Sequence, residues 1–201
     1  PGAHHLYIHL VEASPNPGQA LKSAGFLERA MPRAGHLVHM PAHIYVRVGE
    51  YEKSNAANKL AIQADEDFLA ESVDQGMYRV GYYPHNIDFL CFGAYMNGQS
   101  AVAVQTADKL VNQLSSLERM MPSLYDFFLA EPLITKIRFG RWNEILALPM
   151  PNEKYISATA LSRFARGLAF LRKDRMFHLE IETYWCCQGK AVPCPILSVR
   201  G

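Results

Sequence analysis

Ala42-His43-Ile44-Tyr45-Val46-Arg47-Val48-Gly49-Glu50-Tyr51 reads as the end of one helix, a tight turn and the start of a second. Glycine suits such a turn because it takes positive φ without steric cost. Ser54, Asn58 and Ala61 follow at helical spacing and put small side chains on the second helix's packing face. Three other segments repeat this outline. Ala94-Tyr95-Met96-Asn97-Gly98 leads to Ala103, Ala107 and Leu110, and Ile137-Arg138-Phe139-Gly140-Arg141-Trp142 leads to Ile145. Near the start, Ser14-Pro15-Asn16-Pro17 makes the turn before Ala20, Ala24 and Leu27, and Pro32 closes the unit. Tyr51 and Trp142, two residues after their glycines, can pack back over the helix pair.

Aligning the turns puts unit starts near Pro1, Gly35, Pro84 and Asp126, with a partial fifth unit whose first helix runs over about 155–171. The first spacing is 34 residues and the next two are 49 and 42, so insertions follow units two and three. Helix, turn, helix and a stop near 34 residues resembles the tetratricopeptide repeat over about residues 3–175. The resemblance implies an all-α, right-handed superhelix of antiparallel helix pairs, with the first helix of each pair lining the concave wall. Pro41 and Pro132 fall inside predicted first helices, where a kink or a late helix start is expected. The array is expected to occupy 1–176. The tail, 177–201, has no such pattern and reads as a divergent extension or a segment foreign to the repeat. With no initiator Met, the chain reads as a piece of a longer protein.

Composition fits this reading. Hydrophobic residues make up 49% and charged residues 19%, which excludes a disordered polar chain. Twenty Lys+Arg against nineteen Asp+Glu argues against a dedicated nucleic-acid binder and gives no polybasic signal for a membrane surface. No apolar run is long enough to span a bilayer, and the start has no signal-peptide pattern. Cys91 lies in an apolar stretch, whereas Cys186, Cys187 and Cys194 crowd the end, which is no disulfide framework and points to a reducing, cytoplasmic setting. The three terminal cysteines lack the C-x₂-C spacing of a zinc site.

Turns and alanines alone fix the register, and the histidines then fall on one wall. Places two, five and nine of a unit share a helix face, because five and nine lie about 40° apart and two and five about 60°. In units one to three these places hold Gly2, His5 and His9, then His36, His39 and His43, then His85, Asp88 and Phe92. Six of the nine are His, where a random scatter of eight His over 201 residues would put roughly 0.4. Two H-x-x-x-H pairs, His5/His9 and His39/His43, stand one repeat apart and can face each other between neighbouring first helices.

Three readings of this wall compete. Imidazoles at i and i+4 form a chelating unit, and neutral imidazole suits zinc, copper, iron or nickel. His5, His9, His39, His43 and His85 are then the metal ligands, with His36 and Glu12 beside them and Asp88 and Glu131 as further oxygen donors. Alternatively, the wall is a metal-free groove for a peptide or protein partner, with Arg47 and Arg138 available to an anion. Finally, the rings could be satisfied by hydrogen bonds within a packed core, although six on one face are hard to satisfy together. The insert at 69–83 begins acidic, from Asp65 to Asp74, and ends at Tyr78, Tyr82 and Tyr83. Tyr83 and Asn86 are expected to offer hydrogen bonds beside the histidines, and Tyr82 to cover the seam between units.

His5-Leu6-Tyr7-Ile8-His9, His39-Met40-Pro41-Ala42-His43-Ile44-Tyr45 and Tyr82-Tyr83-Pro84-His85-Asn86 together resemble a bacterial group of tetratricopeptide-repeat proteins with the same histidine-bearing helices. That likeness groups these residues and supplies no substrate. The resulting expectation is metal-dependent binding or catalysis in the groove, with a peptide-binding scaffold as the alternative. No nucleophile motif, phosphate loop or dinucleotide fingerprint competes with either.

Overall fold

A computed structural model describes residues 1–172 except 74, 75 and 77. Among the described residues every regular element is helical, with no strand, as the all-α expectation requires. The predicted tail at 177–201, with its three cysteines, lies outside them.

The chain divides into two compact units, Pro1–Thr135 and Lys136–Gly201. The first begins with α1 (Gly2–Glu12), a 3₁₀ turn at Pro17–Ala20 and α2 (Leu21–Ala30). It continues through α3 (Gly35–Val48), α4 (Tyr51–Glu71), a π turn at Tyr78–Tyr82, α5 (Tyr83–Met96) and α6 (Ser100–Asn112). The short helices α7 (Ser115–Met120) and α8 (Pro122–Phe128) lead to α9 (Glu131–Arg138), within which the unit boundary falls. The second unit holds α10 (Trp142–Ala147) and α11 (Ile156–Arg172), which pack on each other.

The three predicted turn glycines share one backbone device. Gly49, Gly98 and Gly140 take φ of 82°, 74° and 63°. In each case the next residue donates its N–H five positions back, Glu50 to Tyr45, Gln99 to Ala94 and Arg141 to Lys136, at 2.8–2.9 Å. This bond satisfies a carbonyl that the ending helix would otherwise leave open.

From α1 to α6 each helix packs on the next, and α1 with α3 and α3 with α5 also touch directly. One core joins Ile8 and Val11 of α1 to Ala20, Ala24, Leu27, Met40 and Ile44, and the spaced alanines let the helices approach closely. A second core gathers Ile62, Val80, Ile87, Leu90, Leu110 and Leu117. Burying each such large aliphatic side chain stabilises by about 1.5–3 kcal/mol. With the apolar faces of α1 and α3 committed to the first core, His5, His9, His36, His39 and His43 are left on the side these helices share with α5.

The two prolines behave differently. Pro41 neither delays nor interrupts α3, which runs unbroken through it. Pro132 does mark a late start: the expected first helix of the fourth unit is split into α8 and α9, and Pro132 sits in the first turn of α9, where its missing N–H costs nothing. The acidic start of the predicted insert is also helical, because α4 extends to Glu71.

Candidate metal centre

Six histidines and one glutamate from α1, α3 and α5 form a continuous cluster. Among the described residues, three groups each bring their ligand atoms within 4.8 Å of one another: His39, His43 and His85; His5, His9 and His36; and His9, Glu12 and His43. These groups could hold a metal ion. All five predicted histidine ligands are among them, with His36 and Glu12. They converge as two adjoining triads rather than one ring.

Two of the inner triad are buried, His39 fully inaccessible and His43 at 7% exposure, and His85 is partly buried. His39 Nδ1 lies 2.7 Å from Asn58 Oδ1 on α4. Asn58 is oriented by its own Nδ2, which donates to the Ser54 carbonyl at 2.9 Å, so its oxygen must face the imidazole. His39 therefore carries its proton on Nδ1. His43 Nδ1 lies 2.6 Å from Glu12 Oε2 and donates to that carboxylate. Both Nε2 atoms are thus lone-pair acceptors in the neutral rings, and they face each other at 2.9 Å. Two acceptors at that distance repel unless a cation stands between them. Two nitrogens bound to one ion at about 2.0–2.1 Å stand roughly 2.9–3.4 Å apart for bond angles of 90–109°.

A proton is a poor candidate for that cation. Burial, then the charges of His43 and His85, hold His39 well below the usual imidazole range, against the opposing hydrogen bond to Asn58. Burial also lowers His43 despite Glu12 beside it. His85 is pushed down to about 4 by burial and by His43. The Phe89 ring touches all three imidazoles, with centroids 4.7–4.8 Å from those of His39, His43 and His85. It forms an apolar wall that keeps the rings neutral, the state in which imidazole binds metal.

The outer triad is more open. His5 Nε2 lies 3.1 Å from His36 Nε2, and His9 Nδ1 donates to Glu12 Oε1 at 2.9 Å. Glu12 thus accepts one N–H from each triad on separate oxygens. Burial alone would raise its pKa, but the hydrogen bond from His9 and the charge and hydrogen bond of His43 outweigh burial and leave it lowered. Burial and then the His5 charge push His36 down to about 4, and its Nδ1 is buried without a partner. Tyr82, expected to cover a seam, lies against His36 of this triad, with centroids 4.4 Å apart.

Behind the histidines, buried Asp65 ties the elements together. Its oxygens accept hydrogen bonds from the Tyr78 hydroxyl and from Asn86 Nδ2, the latter at 2.7 Å. A Cβ at Gly35 would stand 1.8 Å from Asp65 Oδ1, so only glycine lets α3 begin there. Gly35 precedes His36 and Asn86 follows His85, so one carboxylate sets where two histidines enter the cluster.

Several expected site residues lie elsewhere. Tyr83 donates to Glu66 at 2.8 Å and Asn86 to Asp65, so neither serves a histidine. Arg47 is exposed in the last turn of α3 and belongs to none of the three groups. Asp88 and Glu131 also stand outside them; the Asp88 charge adds to burial in raising Glu131 to about 7. The wall on α5 is His85 and Phe89, not His85, Asp88 and Phe92: Phe89 stands against His39, His43 and His85. Cys91 is buried with its thiol 3.5 Å from the Thr135 hydroxyl. His4 bonds Ser23 at 3.0 Å, stacks on Phe26 and belongs to none of the three groups.

Sequence reasoning placed Asn58 only on a packing face and Asp65 only in an acidic run. A buried amide or carboxylate needs a partner, and that requirement was the available signal for both. The chain matches no protein-family model, no curated protein and no solved structure.

Proposed function

We propose that this chain binds a divalent transition-metal ion, zinc, copper or iron, through His39, His43 and His85 on a helical-repeat scaffold of the tetratricopeptide kind. The observation that carries this reading is the 2.9 Å approach of His39 Nε2 to His43 Nε2 when both Nδ1 atoms are already committed as donors. The outward partners support it. A ligating imidazole normally gives its other N–H to a carboxylate or carbonyl, as His43 does to Glu12 and His39 to Asn58. An all-nitrogen donor set suits zinc, copper or iron rather than magnesium or calcium. Three protein ligands leave a coordination position for water or a substrate, where a metal acts as a Lewis acid or lowers the pKa of bound water.

The test is the metal content of protein purified without a histidine tag, beside a His39→Ala/His43→Ala double variant. At least one equivalent of zinc, copper or iron, lost in the variant, is the expected result. Metal-free protein whose melting temperature does not respond to added zinc, copper or iron would overturn the proposal.

A further inference from the structure

We infer that the cluster is built for two ions, the second held by His5, His9 and His36 next to the first. This rests on the proposed inner site and extends it. The outer ligand atoms lie within 4.8 Å of one another, and His5 Nε2 stands 3.1 Å from His36 Nε2, again the spacing of two ligands on one ion. Glu12 links the positions. Its two oxygens take Nδ1–H from His9 at 2.9 Å and from His43 at 2.6 Å, which leaves the Nε2 lone pair of each ring for a metal. The His9 and His43 rings adjoin, with centroids 5.1 Å apart, and His36 stacks over His39 at 6.2 Å. One carboxylate therefore orients a ligand of each triad, and the two ions are neighbours.

The positions are unequal. Two of the inner ligands, His39 and His43, are buried and have fixed outward partners. In the outer triad the His9 side chain is 40% exposed and His36 Nδ1 has no partner. Because outer-shell partners are worth roughly 10–100-fold in affinity, the outer ion binds at least about tenfold more weakly.

The remaining arrangement, in which Glu12 itself ligates one ion with His9 and His43, predicts a single equivalent. Metal-free protein is titrated with Co(II), followed by visible absorption and calorimetry, and then with Zn(II). Two sequential equivalents are expected in the wild-type chain. A His5→Ala/His36→Ala variant should keep only the tighter one. A wild-type chain that binds one equivalent overturns the two-ion inference and leaves the inner site standing. A variant that still binds two also overturns it, since the second ion then sits elsewhere. A wild-type chain that binds neither metal removes the inner site as well. The wild-type stoichiometry decides whether two ions bind even if the variant does not fold, and the variant locates the second.

Discussion

His85 and Asp88 stand three residues apart on α5, and burial is the first cause displacing both from their ordinary titration ranges, His85 down to about 4 and Asp88 up to about 6. Each belongs to a buried group of its own kind. His85 joins the imidazoles of α1 and α3, whereas the Asp88 charge bears on Glu131, which is raised to about 7 and has a buried Oε2 without a partner. Burial demands the neutral form in both places, but neutrality has opposite consequences. A carboxyl that keeps its proton gains a donor and relieves the repulsion from its neighbour. An imidazole whose Nδ1–H is already given away has only a lone pair left. The carboxyl pair is therefore settled by a proton, while the histidines leave acceptors facing each other. For this reason the metal proposal attaches to His85 and not to Asp88, one turn further along α5.

The largest expected effect of this contrast is on acid stability. For an imidazole whose folded pKa is lowered, the unfolded chain binds more protons between the two pKa values, so folding stability rises with pH across that window. Metal-free protein should therefore lose stability as pH drops from about 6.5 to about 4. His85 contributes on the order of a few kcal/mol; His39 acts in the same direction, and partly buried His36 contributes less because solvent screens it. Glu12, lowered, acts in the same direction below its ordinary value, since its carboxylate form is favoured by the fold. Asp88 and Glu131 oppose the trend, because raised carboxyls favour the fold at low pH and lose that contribution as pH rises through about 6 to 7. Urea unfolding from pH 4 to 8 measures the sum. A stability that rises steadily on acidification would mean that the carboxyls outweigh the histidines.

Metal should stabilise one region only. At a free zinc concentration of about 100 times the dissociation constant, the folded state gains about 2.7 kcal/mol. The resulting rise in melting temperature should survive in Asp88→Asn/Glu131→Gln and shrink in His39→Ala/His43→Ala to the smaller rise that the weaker outer position supplies. Loss of the rise in the carboxyl variant would erase the distinction between the two groups. Asn58→Ala tests the tautomer argument more finely. It removes the oxygen that fixes the His39 proton on Nδ1, and metal affinity should fall roughly 10–100-fold. Unchanged affinity in competition with a chelator would show that Asn58 does not set the tautomer.

How much of this was legible in the sequence depends on where the 34-residue period holds. From unit one to unit two no insertion intervenes, so the turns alone placed His5, His9, His36, His39 and His43 on one wall, and the structure gathers all of them. Between units two and three the period breaks. A π turn at Tyr78–Tyr82 stands directly before α5, and beyond this break His85 still reaches the cluster while Phe89, not Asp88 or Phe92, is its companion. Gly49, Gly98 and Gly140 were readable because backbone conformation is a local property of a glycine turn. Asn58 and Asp65 were not, because their roles depend on which helix lies opposite, and α4 meets both α3 and α5. The alternating pattern of helix pairs was likewise legible, whereas the break between α8 and α9 was visible only as the proline at 132.

The smallest expected effect is at Asp88. At pH 8 the wild-type carboxyl is ionised despite its burial, and Glu131, which feels its charge, is ionised too. Asp88→Asn keeps the shape and removes the charge, so the variant should be more stable there by on the order of 1 kcal/mol. Glu131 should also titrate lower, having lost the neighbour that raises it. At pH 5 Asp88 is already mostly protonated, and the gain should shrink towards nothing. Unfolding free energies at the two pH values give the result directly. An equal gain at both would trace the effect to packing or hydrogen bonding rather than charge, and a loss at both would mean that the carboxylate has a partner which the amide cannot keep. A gain confined to high pH would show that a proton is all the carboxyl pair requires, the property that separates it from the histidines one turn away.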